Sequence, residues 1–267
     1  MQNESGRKYR ENLLVLFVCV YTCIGLYCLL FGNWNFTPLF LFFLFLALGN
    51  GTVAHRYFAH KSFKVSALFH SLLVIWATLT AYSPLAYWIV QHRHHHNYTD
   101  KPEDTHSPYN GFFHSFFLWT IDKKIIKSIF NIRANVLAYA TIRKDPWIRF
   151  FDDHYLIVNI LFVTCLYFVS SQLAVAYFAA FSLEQIRLGI LNTVHHMPRF
   201  PLNYQNHNLD NDKSQNNYIT GLLTLGFGWH NNHHNQPSKL ILTEKWWELD
   251  IEGLVGWLLS LSSWSKR

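Results

Sequence analysis

Charge is what this sequence has least of. Only 14% of its 267 residues are charged, against roughly 25% in an ordinary soluble domain. With 51% hydrophobic and 18% aromatic residues, the deficit points to a membrane protein and to a lipid bilayer as partner. Cysteine is also scarce. Cys19, Cys23, Cys28 and Cys165 are the only four, and all lie in apolar runs, where a small apolar residue is the default. They have no zinc-site pattern and suggest no disulfide framework. The net charge of +6 comes without a basic tract or a known nucleic-acid module, so no nucleic acid is expected as partner.

The apolar runs are long. Residues 13–31 form an uncharged stretch close to the ~20 residues that cross a bilayer, and it reads as a span rather than a cleavable signal. Residues 36–54 form a second, after the polar break Gly32-Asn33-Trp34-Asn35. Residues 155–169 and 173–191 make another pair around Ser170-Ser171-Gln172. The expected fold class is therefore all-α: a polytopic membrane protein with four transmembrane helices in two hairpins. Residues 55–153 and 192–267 form a helical cap, and 1–267 is one domain. All 22 Lys and Arg residues lie outside the two short turns, which places the termini and the cap in the cytosol. Residues 67–90 are apolar enough to be mistaken for a span. They are expected to pack against the protein or lie at the interface.

Histidine is abundant where charge is not. "HRYFAH", "HRHHH" and "HNNHH" hold His55, His60, His92, His95, His96, His230, His233 and His234. Neutral imidazole is the commonest nitrogen ligand of first-row metals. His92, His95 and His96 sit at i, i+3 and i+4, as do His230, His233 and His234, and such residues share one helix face. His94 falls on the opposite side and is expected to be a bystander. His55 and His60 are five apart, so they converge only if a helix end or bend intervenes. A lone cluster could be a polar helix end facing water. Three on one membrane side read as a metal site.

These motifs resemble the membrane-bound acyl desaturases of the stearoyl-CoA and acyl-lipid type. The family's H-x-x-x-x-H box is met by His55 and His60, and its two H-x-x-H-H boxes by His92, His95, His96 and by His230, His233, His234. A further N-x-x-x-H element is met by Asn192 and His196. The resemblance implies nine histidines holding two iron ions (Fe2+), with Asn192 reaching one through water. His195 also lies on the Asn192 face; the family spacing selects His196. There are departures. The usual Gly-Glu-Gly before the third box is Gly226-Phe227-Gly228, and Asp-Pro-His after the second is Asp104-Thr105-His106. No haem-binding His-Pro-Gly-Gly element is present, so the expected electron donor is a separate protein of ferredoxin or cytochrome b5 type.

The implied reaction is O2-dependent. It removes two hydrogens from a fatty acyl chain, leaving a cis double bond and water, at the cytosolic face of a bacterial inner membrane or the endoplasmic reticulum. The acyl carrier could be CoA, a phospholipid or a carrier protein. Lys123, Lys124 and Lys127 could meet its head group, although such a basic segment commonly binds anionic lipid. Phe40, Phe42, Phe43 and Phe45 could line an acyl tunnel, with lipid-facing packing the default. His70 and His154 are expected to be buried with one partner; His106, His114 and His207 lie in polar or mixed segments. Hydroxylase or acetylenase chemistry is the alternative within the class. A membrane metal transporter is a remoter one, because transporters carry polar ligands inside spans and here only Glu184 and Gln185 would serve.

Overall fold

The computed structural model describes residues 4–266, with side chains for 11–125 and 127–263. Four helices carry the apolar runs: α1 (Glu4–Phe31), α2 (Phe36–Leu48), and further on α9 (Tyr155–Val169) and α10 (Ser171–Val194). Between them lie α3 (Ala67–Leu79), α4 (Leu85–Tyr98), α5 (Phe112–Phe116), α6 (Lys123–Asn131), α7 (Arg133–Ile142) and α8 (Pro146–Asp153). After α10 come a two-residue β-ladder, β1 (Asn203–Tyr204) with β2 (Asn216–Asn217), and helices α11 (Tyr218–Leu223), α12 (His230–Asn235) and α13 (Ile251–Ser260).

Helix α10 is the axis of the apolar half, packed by α1, α2 and α9. Its small residues Ala176, Ala179 and Ala180 are fully buried, which lets neighbouring backbones approach closely. At Gly25 of α1 an added methyl would meet the Phe178 carbonyl oxygen at 2.9 Å. The buried tyrosines find carbonyl partners: Tyr21 donates to Asn159 at 3.2 Å and Tyr177 to Leu79 at 3.0 Å. The two short turns lie side by side, with Asn35 Nδ2 donating to Gln172 Oε1 at 3.2 Å.

Among the described residues, three helices are long and apolar enough to cross a membrane: Glu11–Phe31, Phe36–Ala59 and Ser171–Val194. Helix α9, expected at 155–169 as a span, is 15 residues long. At 1.5 Å per residue that is roughly 22 Å, short of a hydrocarbon core of about 30 Å. It bends from α8 by 73°, and only if that pair counts as one span does the number become four. The second span also runs five residues past its expected end at Ala54.

The 67–90 stretch is broken at Pro84 into α3 and α4. Helix α3 exposes Leu68, Phe69 and Leu72 and buries Leu73, Val74 and Ala77, so it lies along the protein with one apolar face outward. Two expectations need correction. His154 is exposed, because it sits at the α8–α9 bend instead of inside an apolar helix. His70 is half-buried with two partners, Tyr57 Oη and Asp145 Oδ2, each at 2.8 Å.

The helix that begins as α2 widens into a π-helix over Gly49–Ala59. An ion cluster locks it from below. Arg56 pairs with Asp250 at 2.7 and 2.8 Å. Arg187 of α10 pairs with Glu184 at 2.7 Å and with Glu252 of α13 at 3.1 Å, while Asn50 donates to Glu184 at 2.9 Å. Glycine at position 51 leaves the space that the Glu252 carboxylate fills. Removing one partner from such a buried set strands a charge, at about 3–5 kcal/mol.

Candidate metal centre

The π-helix explains the five-residue spacing of the first histidine pair. An α-helix brings i and i+4 together, whereas i→i+5 bonding brings i and i+5 together. The His60 amide donates to the His55 carbonyl at 3.0 Å, and the two rings lie 4.7 Å apart.

Helices α4 and α12 then divide their histidines in a complementary way. His92 and His96 of α4 join His55, His60 and His233, while His95 joins His196, His230 and His234. Within each group, ligand-type atoms all lie within 4.8 Å of one another. Several imidazole nitrogens face each other directly. The Nε2–Nε2 distances are 2.7 Å for His60–His92, 3.1 Å for His92–His96, and 3.0 Å for His55–His233, His96–His233 and His196–His230. Nitrogens held roughly 2.0–2.1 Å from one ion, at right angles, are about 3 Å apart. His95 Nε2 and His234 Nε2, the atoms these two rings turn toward their group, are buried without a hydrogen-bond partner, which is costly unless something else binds them. The donor set therefore fits two metal ions.

Burial keeps most of these imidazoles neutral, the form that carries a lone pair. It drives His60 down to about 2, helped by His96 and Arg93, and His96 to about 4. His92, His230, His233 and His234 are lowered, burial first and neighbouring imidazoles next. At His196 burial acts in the same sense, but the Asp100, Asp104 and Asp212 carboxylates together outweigh it and raise the group.

Three carboxylates stand behind the second group. Asp104 holds His95 Nδ1 at 2.8 Å, Asp100 holds His196 Nδ1 at 3.1 Å, and Asp212 holds His234 Nδ1 at 2.7 Å. Each leaves Nε2 aimed at the group, the usual way a protein orients a ligating imidazole. These aspartates carry no spacing signal; only Asp104, in the departed Asp-Thr-His element, lay close to a recognisable motif.

His195 and His196 part company. His195 bonds the Gln215 carbonyl at 2.9 Å and the Thr220 hydroxyl at 2.8 Å, so both its nitrogens are taken. His94 is likewise occupied, by the Glu103 carbonyl at 3.0 Å and Asn135 at 3.2 Å. His106, expected only to lie in a polar or mixed segment, is 4.1 Å ring to ring from His95 with a buried, unpartnered Nδ1. Phe227 stands 4.5 Å from the His55 ring and beneath the Arg187 guanidinium at 5.3 Å.

A cavity of about 40 Å3 adjoins both groups, lined by His92, His95, His106, His230 and Asn192, with Tyr82, Trp88, Gln91, Trp119, Leu188, Leu191 and Phe227. A second, of about 670 Å3, shares Tyr82, Gln91 and Trp119 with it and opens between α1, α4, α6, α7 and α8. Of the three lysines of α6, Lys127 alone lines this space, beside Glu11, Arg143, Asp152 and Asp153. Phe40, Phe42, Phe43 and Phe45 line neither cavity. Phe42 packs on Tyr177 and Phe45 stacks on Trp76 instead.

Residues 32–250 match the family model for fatty acid desaturases. This chain belongs to the fatty acid desaturase family. It is 28% identical over 250 residues to Delta-9 acyl-lipid desaturase 2 of Arabidopsis thaliana, covering 92% of this chain and 79% of that one. It is 28% identical over 249 residues to the sn-2 palmitoyl-lipid 9-desaturase of a Nostoc species, covering 89% and 82%. A third relative is the hex-5-enoyl-[acyl-carrier protein] acetylenase of Moorena producens, at 26% over 231 residues, covering 79% and 69%. The desaturase is thus an oxidoreductase acting on fatty acyl chains, a membrane protein with several apolar helices, and its histidine groups are capable of holding metal. The transporter alternative falls away.

Proposed function

We propose that this desaturase inserts a cis double bond into a fatty acyl chain at a centre of two iron ions. His55, His60, His92, His96 and His233 would hold one ion. His95, His196, His230 and His234 would hold the other, with Asn192 reaching it through water. The observation that carries the reading is nine imidazoles gathered into two adjoining groups beside an apolar cavity. Bound there, iron supplies the O2 chemistry that an unactivated methylene demands and no side chain can perform.

The chain's own residues do the rest. Asp100, Asp104 and Asp212 fix the imidazole tautomers. Trp88, stacked on His92 at 5.0 Å and 2°, keeps that ring from rotating. The larger cavity admits the acyl chain, and Tyr82, Gln91 and Trp119 hold it where the two cavities meet. Burial of the groups excludes water from the reacting carbons. Electrons enter from a separate ferredoxin-type or cytochrome b5-type protein.

Two hairpins give four spans if α8 and α9 cross together, and the positive-inside rule puts the histidine-bearing cap in the cytosol. Reporters fused near Ser62 and near Asn97 should then give the same cytosolic signal; opposite signals would exclude one shared site. The acetylenase relative favours, as a second reading, further dehydrogenation of an existing double bond. Iron content of the purified protein, with analysis of host lipids for new double or triple bonds, tests both. Absence of iron would defeat the di-iron reading, and a hydroxylated product would change the reaction.

A further inference from the structure

The two cavities differ greatly in size and share Tyr82, Gln91 and Trp119 in their walls. On the histidine side of these three residues there is about 40 Å3. A water-sized group occupies roughly 10–15 Å3 on this measure, so only some three such groups fit. One wall is Leu188, Leu191 and Phe227, which form one apolar cluster with Tyr82 packed against it. Behind Phe227 the way is barred by charge. Arg187 lies over its ring at 5.3 Å and is tied to Glu184 and Glu252 at 2.7 and 3.1 Å. A hydrocarbon chain cannot displace a buried ion cluster without stranding its charges.

We propose that the acyl tunnel is blind at Phe227, so that the carbons presented to the histidine groups are the last few before the methyl end. This rests on the desaturase reading and adds its positional rule: the oxidised carbons are counted from the methyl terminus, whatever the chain length. The substrate class is an acyl chain with an unbranched end, its carboxyl end and carrier lying in the larger cavity and beyond. The phenylalanine that stands between Gly226 and Gly228 is the specificity-determining residue.

The test begins with a fatty acid bearing a diazirine on its penultimate carbon, photolysed on purified, metal-depleted protein. Peptide mapping should find the label on Tyr82, Leu188, Leu191 or Phe227. Label on α2 or α9, or spread along the larger cavity, would overturn the proposal. Next, saturated chains of increasing length are fed to cells expressing the protein. New unsaturation should keep a constant distance from the methyl end, and a constant distance from the carbonyl would overturn the blind end while leaving the desaturase reading intact. Phe227→Ala should move the new bond toward the carbonyl and admit methyl-branched ends. Leu191→Ala, on the same wall and not itself part of the Arg187–Glu184–Glu252 cluster, should do so to a lesser degree and covers the case in which Phe227→Ala fails to fold. Label on the wall without new unsaturation from any chain would keep the blind end and overturn the reaction instead.

Discussion

In the five-histidine group the imidazoles face one another, and His60, His92 and His96 retain some exposure. In the four-histidine group every ring is buried, and three of the four lean on an aspartate. No carboxylate is hydrogen-bonded to the five among the described residues. A dication sealed away from water needs nearby negative charge, and the second group has it from Asp100, Asp104 and Asp212. The first group has five imidazoles and no such carboxylate among the described residues, and its rings are set by the π-helix and the Trp88 stack. One group is built by second partners and the other by backbone geometry.

Loss of a single histidine from either group should be the most damaging change. His92→Ala or His233→Ala should lose iron and activity together, by on the order of a hundredfold or more, since the loss should exceed that of a mere supporting partner. Iron analysis alongside product formation checks this; full metal in either variant would sink the ligand assignment. Next in size comes the adjacent pair. His196→Ala should abolish desaturation and lower iron content, whereas His195→Ala should keep both irons and measurable activity, because His195 already has Gln215 and Thr220 as partners. The reverse result would exchange the two.

A smaller effect separates the groups themselves. Asp104→Asn or Asp212→Asn should weaken one metal of the two by about 10–100-fold, seen as half the iron stripped early in a chelator titration. Uniform loss of both would mean that the carboxylates support the fold and not one group. Smallest is His94→Ala. It should retain both irons and cost about 1–2 kcal/mol of stability from the orphaned Glu103 carbonyl and Asn135 amide, read as a lowered unfolding midpoint.

Much of this was legible in sequence. The i, i+3, i+4 spacings placed His92, His95, His96 and His230, His233, His234 on shared faces, as found. Spacing could not show that each triplet splits between two groups, because that depends on how α4 and α12 approach each other. The five-residue gap of His55 and His60 demanded some departure from α-helix, but its form, a π-helix, is dictated by tertiary contacts of Arg56 and Asn50. Asp100 and Asp212 were invisible because they sit in loops and reach their histidines only through the fold. Helix α9 leaves the span count at three or four among the described residues: apolar composition reports preference for lipid, while the 73° bend between α8 and α9 decides whether the pair counts as one span.

The π-helix, α4, the end of α10 and α12 contribute to the groups in chain order, and His230, His233 and His234 come last. During synthesis neither group can be complete until those residues have left the ribosome, by which time all the long apolar helices have already emerged. On the proposed function, metal loading would be a closing step of biogenesis, and a nascent chain halted before His230 would lack three of the nine histidines proposed to hold the ions.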